Sequence, residues 1–394
     1  MTASRAFRTF VLGDVHLFRQ TPRSVVDDLA ALVAAHPGDR FVFAGDLLDL
    51  SAEGHGEENR RRTAEEAILA HSALRTALAS HLDRGGELWL VSGNHDAEVG
   101  EPDFAERLGG ALGVSSSVAK KGLRSTPWFF RDGGIHIEHG HLYDPDNAPA
   151  HPLAPGASLG VHFVEEFIAP TGAHRYLNAN DGTPLKLFLS SFQWYGVRAP
   201  HVIYRFFHTA FGALGKSGTR FDLEGQRAQG MAHTATFAES VGLAGDLLDE
   251  LLSFSPRPTL ASVRATFARC YLDRVLATVT AAGGAIAFAS GHPFVGSVTL
   301  SMGAIAMLAS WAAGYDRYTG SVVERLASGA ERVAGVTDAK LVVFGHTHRE
   351  ALTERYANTG SFSFPGRAPG RPYIEIEGPA DAPRAVRRYL LRSA

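Results

Sequence analysis

Residues 40–49 read Arg-Phe-Val-Phe-Ala-Gly-Asp-Leu-Leu-Asp. Arg40 to Ala44 is short, apolar and bounded by a glycine, the pattern of a buried strand. Gly45 stops it, and two carboxylates, Asp46 and Asp49, follow at once. The same grammar recurs on both sides. Phe7 to Leu12 leads into Gly13-Asp14-Val15-His16, and Glu87 to Val91 into Ser92-Gly93-Asn94-His95-Asp96. Ile135 to Glu138 leads into His139-Gly140-His141, and Lys340 to Phe344 into Gly345-His346-Thr347-His348. Between the first strands, Ser24 to Ala35 has helical spacing with Val25, Leu29 and Leu32 on one face. Glu57 to Leu82 reads as one long charged helix, and Tyr373–Glu377 and Ala385–Leu391 as closing strands. Strands alternating with helices predict an α/β domain, whose chemistry lies in the loops beyond strand C-termini.

Between about 150 and 335 this grammar disappears. Helical stretches take over at Ser240–Ser253, Thr259–Thr280 and Ser321–Val333. The expected organisation is a core in two parts, 1–149 and 336–394, interrupted by a helical insertion at 150–335. With 45% apolar residues the chain has enough to bury a large core. A net charge of -3 argues against a general nucleic-acid binder. The single cysteine, Cys270, excludes a disulfide framework or a thiolate zinc site and fits a reducing compartment. Phe10-Val11-Leu12 is too short for a signal-peptide core, so the expected location is cytoplasmic.

The five polar clusters supply carboxylate, imidazole and amide, which suit Mn, Fe or Zn, and no sulfur. One Asp-x-His at a strand end is weak evidence for a metal site; five such clusters, all after strands, are poorly explained by coincidence. The set resembles the calcineurin-like metallophosphoesterase family: Asp-x-His, Gly-Asp-x-x-Asp, Gly-Asn-His-Asp, His, then Gly-His-x-His. The resemblance covers about 7–145 and 338–365. It implies a sandwich of two mixed β-sheets flanked by helices, with a site for two divalent ions, manganese favoured, at the strand ends. Carried over by position, Asp14, His16, Asp46 and His348 would hold one ion, and Asp46, Asn94, His139 and His346 the other. Asp46 would bridge them, and a hydroxide shared by both ions would be the nucleophile. His95 would act on the leaving oxygen or the phosphate, oriented by Asp96. Asp49 would hydrogen-bond a ligand or a loop. His139 is preferred over His136 and His141 as ligand, with His141 lining the substrate pocket. Asn358-Thr359-Gly360-Ser361 reads as a tight turn and His55 as an exposed loop histidine.

Two stretches of the insertion bear on the substrate. Val275 to Tyr315 has no Asp, Glu, Lys or Arg, and splits at Gly291-His292-Pro293 into two apolar runs. It reads either as a membrane hairpin, attached to the cytoplasmic face, or as a buried helical pair. Gly182 to Phe221 has no acidic residue and mixes Lys186, Arg198, Arg205, Lys216 and Arg220 with aromatics. That mix suits an anionic membrane surface, a pocket for a phosphorylated lipid with Arg198 and Arg205 as substrate contacts, single-stranded nucleic acid, or an aromatic core with exposed arginines. Within the family, the chain is similar to the UDP-2,3-diacylglucosamine pyrophosphatases in Asp14-Val15-His16-Leu17 and in the His-Gly after the fourth strand. It departs from them in carrying His95 where they carry arginine, and in its larger insertion. The leading expectation is a two-metal phosphoester or pyrophosphate hydrolase acting on a phosphorylated small molecule or a lipid-linked or sugar-nucleotide substrate. The alternatives are a soluble phosphodiesterase or nuclease and a non-catalytic metal-binding scaffold.

Overall fold

The computed structural model describes residues 8–52, 57–154, 156, 158–173, 175–176, 184–314, 321–379 and 381–391. Contacts divide the chain into two compact units. One takes 1–165, 223–257 and 322–394; the other takes 166–222 and 258–321. The segment 150–335 is therefore shared between the two units.

Among its described residues the first unit contains eleven strands: β1 (Thr9–Leu12), β2 (Arg40–Ala44), β3 (Glu87–Val91), β4 (Leu123–Thr126), β5 (Phe129–Asp132), β6 (Ile135–Glu138), β7 (Leu341–Phe344), β8 (Glu350–Leu352), β9 (Tyr356–Thr359), β10 (Arg371–Glu377) and β11 (Arg384–Leu390). They form two mixed sheets, ordered β11-β10-β1-β2-β3-β4 and β5-β6-β7-β9-β8. β1 to β4 are parallel, as are β6, β7 and β9; β10, β11, β5 and β8 run antiparallel to their neighbours.

Strand periodicity builds the layers. Val11, Val42, Ala44, Leu341 and Val343 point into an apolar cluster between the sheets. Their alternates Phe10, Leu12, Phe41 and Phe43 pack outward against helices that include Arg23–Ala35 and Ser72–Asp83. Val342 and Phe344 pack on the other outer face, against Phe237, Leu248, Leu251, Leu326 and Val333. A strand buried on both faces reads as a continuous apolar run, which is why β1, β2 and β7 carry no polar alternation. The expected sandwich of two mixed sheets flanked by helices is the observed fold.

Three expected helices are interrupted. Glu57–Leu82 is two helices, Glu57–Ala70 and Ser72–Asp83. At the break, His71 leaves helical geometry and its Nε2 lies 2.8 Å from the Phe18 carbonyl oxygen. Ser240–Ser253 breaks at Gly242, whose φ of +66° ends the helix Leu223–Val241 before Gly245–Ser253 begins. Thr259–Thr280 breaks before Leu272, where Tyr271 adopts φ +58°.

The second unit is helical, with Pro184–Tyr195, Ala199–Gly215, Val263–Arg269, Leu272–Ala289 and Pro293–Gly314 as its main elements. Phe188, Phe192, Tyr204 and Phe211, from the acid-free stretch, are exposed.

Candidate metal centre

Each polar cluster sits just past a strand. Asp14 and His16 follow β1, Asp46 and Asp49 follow β2, Asn94 to Asp96 follow β3, His139 and His141 follow β6, and His346 and His348 follow β7. Turning the chain so sharply there requires unusual backbone. Seven non-glycine residues have positive φ among those described, and five of them are Asp14, His16, Asp46, His346 and His348. A bulky residue held in the left-handed region costs about 1–3 kcal/mol and persists where surrounding structure enforces it, most often at functional sites. Two glycines make room. A Cβ at Gly93 would lie 2.0 Å from Asp46 Oδ1, and one at Gly45, where φ is +80°, would lie 2.4 Å from the His139 ring.

The side chains converge as three overlapping groups: Asp14, His16 and His348; Asp14, Asp46 and His139; and His16, Asp46 and His95. Within each group the ligand-type atoms lie inside 4.8 Å of one another. His348 Nε2 is 3.2 Å from Asp14 Oδ1 and 3.3 Å from His16 Nε2. Asp46 Oδ2 lies between two imidazoles, 3.2 Å from His139 Nε2 and 3.9 Å from His16 Nε2. Asn94 Oδ1 is 3.1 Å from His139 Nε2, whose other ring nitrogen faces the Ala44 carbonyl oxygen at 2.9 Å. His346 lies beside this group, its ring centroid 5.1 Å from that of His139.

These residues fit divalent metal. His16 Nδ1 is buried without a hydrogen-bond partner, and Asp14 Oδ1 has only the His348 imidazole beside it, a costly arrangement unless a cation satisfies such groups. Asp46, at the centre, is held well below the usual carboxylate range: burial opposes its charge, but His139 and His95 outweigh burial. Burial pushes His16 down to about 4, against the pull of Asp46, so its ring is neutral and able to ligate. For His139 burial is outweighed by Asp46, and its pKa is pushed up to about 9. The carboxylates around His139 thus favour positive charge at this position.

The placement of His95 corrects the expectation for Asp96. His95 Nδ1 lies 3.2 Å from Asp49 Oδ1 and 3.1 Å from Ser51 Oγ, so Asp49 orients the ring. Asp96 instead accepts backbone N–H groups from Gly93 (2.7 Å), Leu48 (3.1 Å) and Asp46 (3.2 Å). Through these three bonds it ties the β2 and β3 loops together. Burial lowers the pKa of His95, but Asp46 and Asp49 overcome it and push the value up to about 10. Asp96 is raised to about 7 by burial and then by Asp46.

A cleft of about 510 Å³ opens beside the site, lined by Asn94, His95, His141, Arg60, Leu153 and Val161 among others. That volume suits a small-molecule ligand. His141 thus lines the cleft, and burial with His139 and His346 nearby holds it neutral. His136 is packed against Phe129, with ring centroids 4.6 Å apart. Asn358 to Ser361 form a brace: Asn358 donates to the Gly345 carbonyl at 2.7 Å, and Ser361 Oγ to the Asp14 carbonyl at 3.0 Å. Arg198 donates to the Thr171 carbonyl and Arg205 to the Glu166 carbonyl, both within the second unit. His55 lies outside the described residues.

Sequence reasoning missed Asp144. Its Oδ2 is 3.0 Å from His346 Nε2 and accepts Asn147 Nδ2 at 2.7 Å. A carboxylate on one imidazole nitrogen fixes the tautomer and leaves the other for a metal. The available signal was Asp144 closing the loop that His139 and His141 open.

A family model described as calcineurin-like phosphoesterase matches residues 7–201. No curated protein and no solved structure matches the chain.

Proposed function

The chain belongs to the calcineurin-like phosphoesterase family and is a metal-dependent phosphoric ester hydrolase; from that premise we propose a binuclear, manganese-favouring site acting on a lipid-linked or sugar-nucleotide phosphoester or pyrophosphate at the cytoplasmic face of a membrane. The observation that supports the binuclear part is the position of Asp46, whose Oδ2 stands between His16 Nε2 at 3.9 Å and His139 Nε2 at 3.2 Å. Asp14, His16, Asp46 and His348 would hold one ion, and Asp46, Asn94, His139 and His346 would hold the other. When bound, the ions supply Lewis acidity toward the phosphoryl oxygens and lower the pKa of water.

The protein's own part is to move and place protons. His95 binds no ion. Asp49 and Ser51 occupy its Nδ1 side, which leaves Nε2 to protonate the departing oxygen. Asp46 and Asp49 raise its pKa against burial, and Asp49 is the support that remains when Asp46 is engaged by metal, favouring the acid form. Asp144 sets the tautomer of His346, and the Ala44 carbonyl sets that of His139. Asp96 holds the β2 and β3 loops in register, so Asp46 and His95 keep a fixed separation. Support for the membrane-facing substrate comes from the apolar stretch of the second unit, whose side chains are mostly exposed.

The test is a pair of variants assayed with metal analysis. Asp46→Asn is expected to lose metal and several orders of magnitude in turnover. His95→Ala is expected to keep its metal and lose about 10²–10⁴ in rate on poor leaving groups, with a smaller loss on nitrophenyl esters. Full metal and near-normal turnover in Asp46→Asn would refute the assignment. An equal loss across leaving groups in His95→Ala would move His95 from proton donor to phosphate binder.

A further inference from the structure

Leu272–Ala289 and Pro293–Gly314 are 18 and 22 residues long and pack against each other as an antiparallel pair. Ser290 to His292 turn the chain tightly between them: Gly291 takes φ +86°, and His292 N–H donates to the Ala287 carbonyl at 3.0 Å. The contact between the helices is made through glycines. A Cβ at Gly284 would lie 2.3 Å from Leu300 N, at Gly296 2.4 Å from Phe288 N, and at Gly303 2.5 Å from Ala281 N. With small residues inside the pair, the large ones point away from it. Leu276, Val279, Ile286, Phe294, Ile305 and Leu308 are each 59–81% exposed.

This is the reverse of a soluble helical pair, which turns large apolar residues inward and polar ones outward. Only 17% and 11% of the two apolar windows are buried, so the chain itself does not cover them. We propose that residues 272–314 form a hairpin inserted into the hydrocarbon core of a lipid bilayer, fastening the enzyme as an integral protein. This deepens the membrane part of the proposed function and rests on it, but not on the hydrolytic chemistry.

Three observations select lipid over a protein partner. The first is length: at 1.5 Å per residue the helices span roughly 27 and 33 Å, against a hydrocarbon core of about 30 Å. The second is distribution. A protein interface presents an apolar centre within a polar rim, whereas here the apolar side chains lie on both helices and run from near the base to the tip. The third is charge. From Val275 to the end of the second helix there is none. Asp273 and Arg274 stand at the open end, where Ser310 Oγ donates to Asp273 Oδ2 at 2.5 Å and Arg274 Nε donates to Ser310 Oγ at 3.2 Å. Exposed Trp311 sits at the same level. A cation and an indole at one level, with uncharged helix beyond, match the headgroup boundary. The glycine seam suits the same setting, because helices in lipid associate by close backbone approach.

The experiment uses the full chain mixed with vesicles of phosphatidylethanolamine and phosphatidylglycerol, recovered by flotation and washed first in molar salt and then in alkaline carbonate. The unaltered protein is expected to stay with the vesicles through both washes. Met302→Arg with Ile305→Arg changes two largely exposed positions. It is expected to shift the partition toward the soluble fraction by on the order of a hundredfold per arginine. Metal-dependent hydrolysis of a soluble nitrophenyl phosphate should not change, which also shows that the variant is folded. Three results would overturn the proposal: release of the unaltered chain by salt, a monomer stable in detergent-free buffer, or a detergent-free dimer that buries the hairpin against a second copy. Vesicle retention by a protein that hydrolyses no phosphoester would refute the enzymatic reading and leave the hairpin assignment supported.

Discussion

Replacing Asp49 by asparagine removes a charge 3.2 Å from His95 Nδ1 while keeping the shape of the side chain. Ser51 Oγ remains 3.1 Å from the same nitrogen, so the ring stays oriented. What changes is the free energy of the imidazolium. An opposite charge at such a distance typically raises an imidazole pKa by about 1–3 units, equivalent to about 1.4–4 kcal/mol. In the metal-free protein burial pulls His95 down while Asp46 and Asp49 together drive it to about 10, so losing Asp49 removes one of the two main supports. The sign follows from the role of His95. An acid acts while protonated, a raised pKa extends that window to higher pH, and the variant loses it from the alkaline side. The alkaline limb of the kcat/KM profile is expected to move down by about 1–3 pH units. The acidic limb and the metal content should stay where they are. The profile should be measured for an alkyl and a nitrophenyl phosphoester, because the good leaving group needs little protonation and should show a much smaller change. Unmoved limbs on both substrates with full metal would refute His95 as an acid charged by Asp49. Loss of metal would show that Asp49, 3.9 Å from His16 Nδ1, acts on the metal site instead.

Gly93→Ala places a methyl group 2.0 Å from Asp46 Oδ1, so Asp46 must move. We expect metal binding and turnover to fall at least a hundredfold, with stability lowered by about 1–3 kcal/mol from overpacking, as read by metal titration and thermal melting. Normal metal affinity in this variant would show that the Asp46 position is not restrictive. Because His139 holds its proton up to about pH 9 in the metal-free protein, metal binding must displace it. Apparent Mn²⁺ affinity is therefore expected to rise roughly tenfold per pH unit between about 6 and 8, with proton release visible as buffer-dependent heats in titration calorimetry. A pH-independent affinity would contradict that proton's location.

The ligand loops were legible because most follow a strand that is buried on both faces and therefore continuously apolar, and each is opened or centred by glycine. β1, β2, β3 and β7 carry that signature; β6, Ile135-His136-Ile137-Glu138, alternates and was marked by the His139-Gly140-His141 that follows it. β4, with exposed Arg124, and β8, with exposed Glu350 and Leu352, do not carry the signature, and both went unread. The break at His71 involves a contact with the Phe18 carbonyl, distant in sequence, and leaves no mark in the local pattern. The exchange of roles between Asp49 and Asp96 has the same origin. Both carboxylates lie near His95, one by sequence and one through the loop after the parallel neighbour β2, and only three dimensions show which faces the ring. Asp144 was missed because it is not part of any strand–glycine cluster. The sequence reading placed Ser321–Val333 in the insertion, whereas Val322 onward belongs with the core, where Leu326, Ala330, Val333 and Ala334 form a stripe along one helix face.

The most direct test of the account is metal-dependent hydrolysis itself. The full-length protein should be stripped by chelation and titrated with Mn²⁺ while turnover of bis(4-nitrophenyl) phosphate is followed. The account predicts an inactive stripped enzyme whose rate rises to a plateau at about two ions per chain. Turnover that survives complete removal of metal, or a protein that takes up metal and hydrolyses no phosphoester at any loading, would contradict it.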